Sequence, residues 1–154
     1  MADHVSESKR SQIMASVKSK NTQPERKVRS LLHGIGYRFL LHDNRLPGKP
    51  DIILPKYTAV IFINGCFWHG HGCNLSKKVP ETQKDFWNDK FTRNRLRDLA
   101  NTEELLSQGW RVCTVWECAL KRQYRLPDDR LLAKIDRWLK SKKRRLEISG
   151  LNRY

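Results

Sequence analysis

The chain has 154 residues, enough for one domain with a substantial core, and sets 31 Lys and Arg against 16 Asp and Glu for a net charge of +15. No apolar run approaches the ~18 residues of a membrane span, which excludes a helical membrane protein. Without a secretory signal at its start, a chain with four cysteines is expected in the cytoplasm, with reduced thiols that bind metal rather than form disulfides.

Phosphate neutralisation and counterion release reward so basic a surface, so nucleic acid is the expected partner. A ribosomal-type structural role or a membrane-surface role would draw on the same charge. Residues 1–21 are polar and basic around Ile13, Met14 and Val17, and are expected to form an arm with a short amphipathic helix. Thr22-Gln-Pro-Glu25 has the pattern of a capping box and opens a helix through Val28, Leu31 and Leu32 that ends near Gly34 and Gly36. A strand over Tyr37 to Leu41 and a turn-rich loop over His42 to Pro50 follow. Asp51 to Leu54 and Thr58 to Ile63 then read as two further strands joined by a turn. After the loop that runs to Pro80, Thr82-Gln-Lys-Asp85 predicts a second capped helix through Phe91, Leu96, Leu99 and Leu106, stopped by Gly109. Trp110 to Val115 is apolar enough for a central strand, and Leu131, Ile135, Trp138 and Leu139 mark a last helix. The expectation is a single α/β domain over residues 22–141, a central mixed sheet flanked by helices, between a basic arm (1–21) and a mobile basic tail (142–154).

Chemistry concentrates in Asn64-Gly-Cys-Phe-Trp-His-Gly-His-Gly-Cys73. Cys66, His71, Cys73 and the later Cys118 make a Cys₃His set suited to a closed, structural zinc ion, with no open position for water. Cys113 competes for the fourth place, but inside an apolar strand a free cysteine usually behaves as a small hydrophobe. Asp51, behind Leu46-Pro-Gly-Lys-Pro50 and at the start of a strand, suits Mg²⁺; alone, it is a common turn residue. His69 is the natural general base, with an alternative life as a zinc ligand. Glu25 is either only the third helical residue of the box or part of the site. Phe67 and Trp68, on a loop pinned by metal, are expected to be exposed and to insert between bases. Trp87 divides between that role and core packing. Met14 is an apolar wedge for the opposite groove or a residue docked on the domain.

Together, Leu46-Pro-Gly-Lys-Pro-Asp51, Phe62 with Gly65-Cys-Phe-Trp-His69, His71 and Cys73, Val79-Pro80, Phe86-Trp87, Gly109-Trp-Arg-Val112 and Val115-Trp-Glu-Cys-Ala-Leu120 resemble the very-short-patch-repair (Vsr) mismatch endonucleases of bacteria. The resemblance runs from about Lys9 to Trp138. It implies a restriction-endonuclease-like (PD-(D/E)XK superfamily-like) fold and Mg²⁺-dependent nicking 5′ of the T in T:G mismatches left by deamination of 5-methylcytosine. It further implies Mg²⁺ on Asp51, with the Ile63 backbone as a possible ligand, His69 as base, and zinc on Cys66, His71, Cys73 and Cys118. By the same resemblance Phe67, Trp68 and Trp87 wedge from the major groove and Met14 from the minor groove, with Glu25 near the site. The expected partner is double-stranded DNA with a T:G pair, acted on by a monomer. Mismatch-repair proteins and a cognate cytosine-5 methyltransferase are functional associates.

The chain differs from the family pattern at Ile63-Asn64, where that pattern has Thr-His. A backbone carbonyl at Ile63 serves a metal whatever the side chain. Asn64 can hydrogen-bond a phosphate oxygen or metal-bound water but cannot act as an acid. A distortion-binding protein without cleavage, and a nicking nuclease of other site preference, are the two alternatives.

Overall fold

Alternating apolar side chains build a five-stranded sheet in the computed structural model, which describes residues 22–73 and 81–151. The predicted arm with Met14, the end of the loop to Pro80 and the last three residues lie outside the described residues. The strands, in sheet order and chain order alike, are β1 (Leu40–Leu41), β2 (Ile52–Leu54), β3 (Ala59–Asn64), β4 (Arg111–Trp116) and β5 (Arg145–Ile148). β1, β2 and β3 pair antiparallel, while β3–β4 and β4–β5 are parallel, so the sheet is mixed. Parallel neighbours need crossovers. The helices α2 (Lys84–Ser107) and α3 (Asp128–Leu139) supply them, and α1 (Gln23–Gly34) precedes the sheet.

Because successive side chains of a strand point to opposite faces, the sheet buries two cores. Ile52, Leu54, Ala59, Ile61, Cys113 and Val115 face Val28 and Leu32 of α1 and Leu131 and Ile135 of α3. Ile53, Val60 and Val112 face Leu105 of α2. Each fully buried Ile or Leu contributes about 1.5–3 kcal/mol of transfer free energy. Among the described residues no helix is long and apolar enough to cross a membrane.

Three expectations are corrected. Residues 145–148 are not part of a tail: Leu146 and Ile148 alternate with charged residues and pair with β4, so the folded part extends beyond residue 141. The basic run before them masked a short amphipathic strand. The second helix begins at Lys84 after a 3-10 turn over Glu81–Gln83, and its cap, Gln83, makes no side-chain capping bond, so Thr82 does not cap it. Leu96 and Leu99 of α2 face solvent at 62% and 50% exposure. Its inward face instead runs Trp87, Phe91, Asn94, Asp98, Asn101 and Leu105, apolar at both ends and polar in the middle.

Parallel pairing sets Asn64 opposite Trp116, so β3 and β4 finish side by side. The loop after β3 and the turn after β4 therefore leave the sheet at the same end. That register brings residues fifty positions apart into one centre.

Candidate active site and metal centre

Cys66, His71, Cys73 and Cys118 each offer a ligand atom, and these four atoms all lie within 4.8 Å of one another. The loop is wound tightly enough for this by backbone bonds from His69 N to Gly65 O (3.2 Å) and His71 N to Cys66 O (3.0 Å). Glycines in left-handed conformation at 70 and 72 permit the turn. Gly70 is also pressed on α2, where a β-carbon would stand 3.1 Å from that of Phe91.

His71 is oriented twice over. Its ring stacks on Trp116 at 4.0 Å, and its Nε2 lies 3.2 Å from Ser149 Oγ, which leaves Nδ1 facing Cys118 Sγ at 3.7 Å. The Gly150 N–H donates to Cys118 Sγ at 3.2 Å. A β-carbon at Gly150 would fall 2.3 Å from the Cys118 carbonyl oxygen, so the exit of β5 is pressed against the centre. The Cys66 thiol and then the His71 imidazole hold the Cys118 thiol well below the usual thiol range. Cys113 is elsewhere, in the core between sheet and helices, where burial pushes its thiol up. A Cys₃His donor set oriented by neighbouring hydrogen bonds fits a closed metal centre.

Beside this centre opens a cavity of about 750 Å³, lined among others by Glu25, Asp51, Ile63, Asn64, Trp68, His69 and Asp98. Asp51 is fixed where β2 begins: its N–H donates to Ile61 O (3.1 Å), and its Oδ2 accepts from Ile63 N–H at 2.7 Å. Glu25 takes part in the cap through its backbone N–H and lines the cavity with its side chain. Its N–H donates to Thr22 Oγ1 at 3.4 Å, capping α1, while its carboxyl, 3% exposed as a residue, reaches Asp51 and lies 3.2 Å from His42 Nε2. Glu25, His42 and Asp51 form a second group of metal-capable donors. Burial first, then the neighbouring Glu25 carboxyl, push the Asp51 carboxyl up to about 7, against the opposing effect of the Ile63 N–H. A divalent cation would remove that conflict. Ile63 and Asn64 end β3 on the cavity wall, and neither makes a charged group available there.

His69 Nδ1 is in short hydrogen-bonding contact with Asp98 of α2. With Nδ1–H donated to the carboxylate, Nε2 carries the lone pair that a general base needs. The Asn94 amide donates to Trp68 O at 2.6 Å and ties the same helix to the loop. His42, Asp98, Ser149 and Gly150 were missed in the sequence. Asp98 carried a signal, the spacing of Trp87, Phe91, Asn94, Asp98, Asn101 and Leu105 along one helical face. His42 in a turn-rich loop carried none.

The aromatic residues form a cluster rather than a free wedge. Phe67 meets Trp68, Trp87 and Phe91 at ring distances of 5.1, 5.3 and 5.2 Å, edge to face. Phe67 and Trp68 are half-buried, while Trp87 is only 3% exposed. Exposure of Trp87 is thus corrected toward core packing, because the loop folds back over the start of α2. Lys90 Nζ stands 5.5 Å above the Trp68 ring, at the cavity rim.

The sequence matches the family model described as DNA mismatch endonuclease Vsr over residues 2–75. A Type II nicking enzyme, V.XorIIP of Xanthomonas oryzae pv. oryzae, is 50% identical over 120 residues, 78% of this chain and 88% of that protein. V.NmeAIP, a Type II nicking enzyme of Neisseria meningitidis, is 47% identical over 80% of this chain and 87% of its own. DNA mismatch endonuclease Vsr of Escherichia coli K12 is 41% identical over 90% of this chain and 88% of its own. Among solved structures, the catalytic domain of the homing endonuclease I-Bth0305I aligns at a TM-score of 0.37 and 25% identity over 78% of this chain and 89% of that chain. Identity of 41–50% across nearly nine-tenths of the relatives' length is decisive, and the chain belongs to the Vsr family of DNA mismatch endonucleases.

Proposed function

We propose that this protein is a zinc-stabilised, Mg²⁺-dependent DNA endonuclease that nicks 5′ of the T in T:G mismatches arising from deamination of 5-methylcytosine. The observation that carries the reading is one cavity holding both the adjoining carboxyls of buried Glu25 and part-buried Asp51 and a histidine oriented by Asp98. The names of the similar proteins, mismatch endonuclease and nicking enzymes, support the substrate and the single-strand outcome. A restriction-endonuclease-like (PD-(D/E)XK) fold agrees with a mixed sheet that carries an aspartate at a strand edge.

Asp51, with the Ile63 carbonyl, would hold the cation, which when bound polarises the scissile phosphate and stabilises charge on the leaving oxygen. His69 takes the proton of the attacking water at Nε2, and Asp98 steadies the resulting imidazolium. Asn64 offers its amide to a phosphate oxygen. Lys49, Lys90 and Lys121, all on the cavity lining, meet the DNA backbone. Phe67 and Trp68 wedge beside the mismatch, with Met14 of the arm opposite them, and Trp87 supports them from beneath. Cys66, His71, Cys73 and Cys118 would hold a structural zinc. The enzyme acts as a monomer in the cytoplasm, in functional association with mismatch-repair proteins and a cytosine-5 methyltransferase.

The test is an end-labelled duplex with one T:G pair beside its fully paired twin, with Mg²⁺ and with EDTA. A Mg²⁺-dependent nick on the T strand of the mismatched duplex only is expected, and Asp51→Ala should abolish it while binding persists. Equal cutting of both duplexes overturns the specificity. Retention of the mismatched duplex without a nick would favour a binding protein, the reading that Asn64 in place of a family histidine suggests.

A further inference from the structure

We infer that the cation of the cleavage site is held by Glu25, His42 and Asp51 together, and that the imidazole suits this site to Mn²⁺ over Mg²⁺. The inference rests on the endonuclease reading and concerns which atoms hold its metal. The family resemblance points to Asp51 and Ile63, and gives His42 no part.

Three donors, one from each residue, lie within 4.8 Å of one another. Two of them are carboxylates taken out of water: Glu25 is 3% exposed and the Asp51 side chain 14%. Two carboxylates packed side by side favour a nearby positive charge, and the Arg29 guanidinium already acts on Asp51. His42 brings both ring nitrogens to this pair, Nε2 at 3.2 Å from Glu25 Oε2 and Nδ1 at 3.9 Å from Asp51 Oδ1. Yet Nε2 is buried and makes no hydrogen bond. A buried imidazole nitrogen set beside the Glu25 carboxylate without a hydrogen bond to it is free to serve as a metal ligand.

The backbone agrees. His42 takes a left-handed φ of 50°, uncommon for a residue with a β-carbon, directly after β1. That turn returns its side chain to the start of β2, where Asp51 is pinned. Backbone strain of this kind collects at functional sites.

Donor chemistry decides the ion. Mg²⁺ is a hard cation that prefers oxygen ligands and keeps several waters. Imidazole ligands shift preference toward transition ions, and Mn²⁺ accepts carboxylates and imidazole together.

The test uses the full chain with Mn²⁺ alone as probe, read by pulsed electron paramagnetic resonance for nitrogen hyperfine coupling. The expected result is Mn²⁺ bound with nitrogen coupling in the wild type. In His42→Gln the coupling should be lost and Mn²⁺ affinity lowered by at least about tenfold, with an unchanged circular dichroism spectrum. Nicking should run faster with Mn²⁺ than with Mg²⁺ in the wild type, and His42→Gln should erase that ratio. Mn²⁺ bound without nitrogen coupling, coupling that persists in His42→Gln, or no Mn²⁺ binding would each overturn the inference. Mismatch nicking in those cases would leave the endonuclease reading standing. Nitrogen coupling without nicking in either metal would overturn the endonuclease reading and leave the metal site in place.

Discussion

Asp51 meets conflicting demands when no cation is bound. At the head of β2 its carboxyl accepts a hydrogen bond from Ile63 N–H that favours a carboxylate, yet burial and the Glu25 carboxyl favour a carboxylic acid and push its pKa up to about 7. In the unfolded chain the group gives up its proton near pH ~4. Between those values the folded protein binds the extra proton, so stability falls as pH rises from about 4 to about 7 and levels off above. Asp51→Asn cannot ionise and still accepts from Ile63 N–H. In EDTA it should melt above the wild type at about pH 8, by about 1 kcal/mol or more, and show no such gain near pH 4. A divalent cation should raise the melting temperature of the wild type at about pH 8 and leave that of Asp51→Asn unchanged. A melting temperature for Asp51→Asn below the wild type at pH ~8 would show that the two carboxyls are not in conflict. His69 invites a different substitution. His69→Ala should slow nicking by about 10²–10⁴-fold, the usual contribution of a positioned base. Asp98→Asn keeps the shape but can donate to Nδ1, which turns the lone pair of the ring away from the water. A loss of at least about 10²-fold in rate with unchanged duplex binding is expected in single-turnover kinetics. Equal rates in Asp98→Asn and wild type would leave His69 without its partner.

The element that joins these residues is the end of the sheet where β3 and β4 finish together. From it hang the Cys66–Cys73 loop and the turn with Cys118, and β5 closes over both through Ser149 and Gly150. Cys118→Ser should therefore remove bound metal and loosen β5 as well as the loop. Hydrogen exchange should rise at residues 145–150, and metal analysis should fall from one ion per chain. Cys113→Ser, remote from the cluster, should keep the ion and cost only the burial of a hydroxyl, about 1–3 kcal/mol. Loss of metal in Cys113→Ser with retention in Cys118→Ser would reverse the ligand assignment. The cluster of Cys66, His71, Cys73 and Cys118 was legible in the sequence because thiols and imidazoles crowd one loop, and because Cys118 follows a strand where Cys113 lies within one. Strands β2 to β4 and helices α1 and α3 were legible for the same kind of reason: apolar residues recur at period two or near 3.6. What escaped was polar or masked by charge. Asp98 sits on a helix whose inward face is polar because it lines a cavity, so an apolar stripe pointed to Leu96 and Leu99, which face solvent. β5 hid two inward apolar residues in a basic run, and His42 acquires meaning only when antiparallel pairing of β1 and β2 brings it back to Asp51.

Over the whole molecule, a net charge of +15 on 154 residues is a stored affinity for any polyanion, paired or mismatched. Such affinity carries no information about bases, so selection of a mismatch has to come from contacts that the charge does not supply. The cavity holds both kinds of group. Lys49, Lys90 and Lys121 line it as point charges, and Trp68 lines it as a flat, half-buried ring. The two contributions separate in a salt titration of binding to the mismatched duplex and its paired twin. In the wild type, log affinity should fall linearly with log salt at a slope of about −0.9 for each phosphate neutralised. Lys49→Ala or Lys121→Ala should weaken both duplexes alike and flatten the slope by about one phosphate's worth. Trp68→Ala should leave the slope of both duplexes unchanged and reduce the ratio between them, because the cost of unstacking is lowest at a mispair and only an inserted ring exploits it. If Trp68→Ala changes the slope and not the ratio, the ring is packing for Lys90, whose ammonium it already faces at 5.5 Å, and mismatch recognition resides elsewhere.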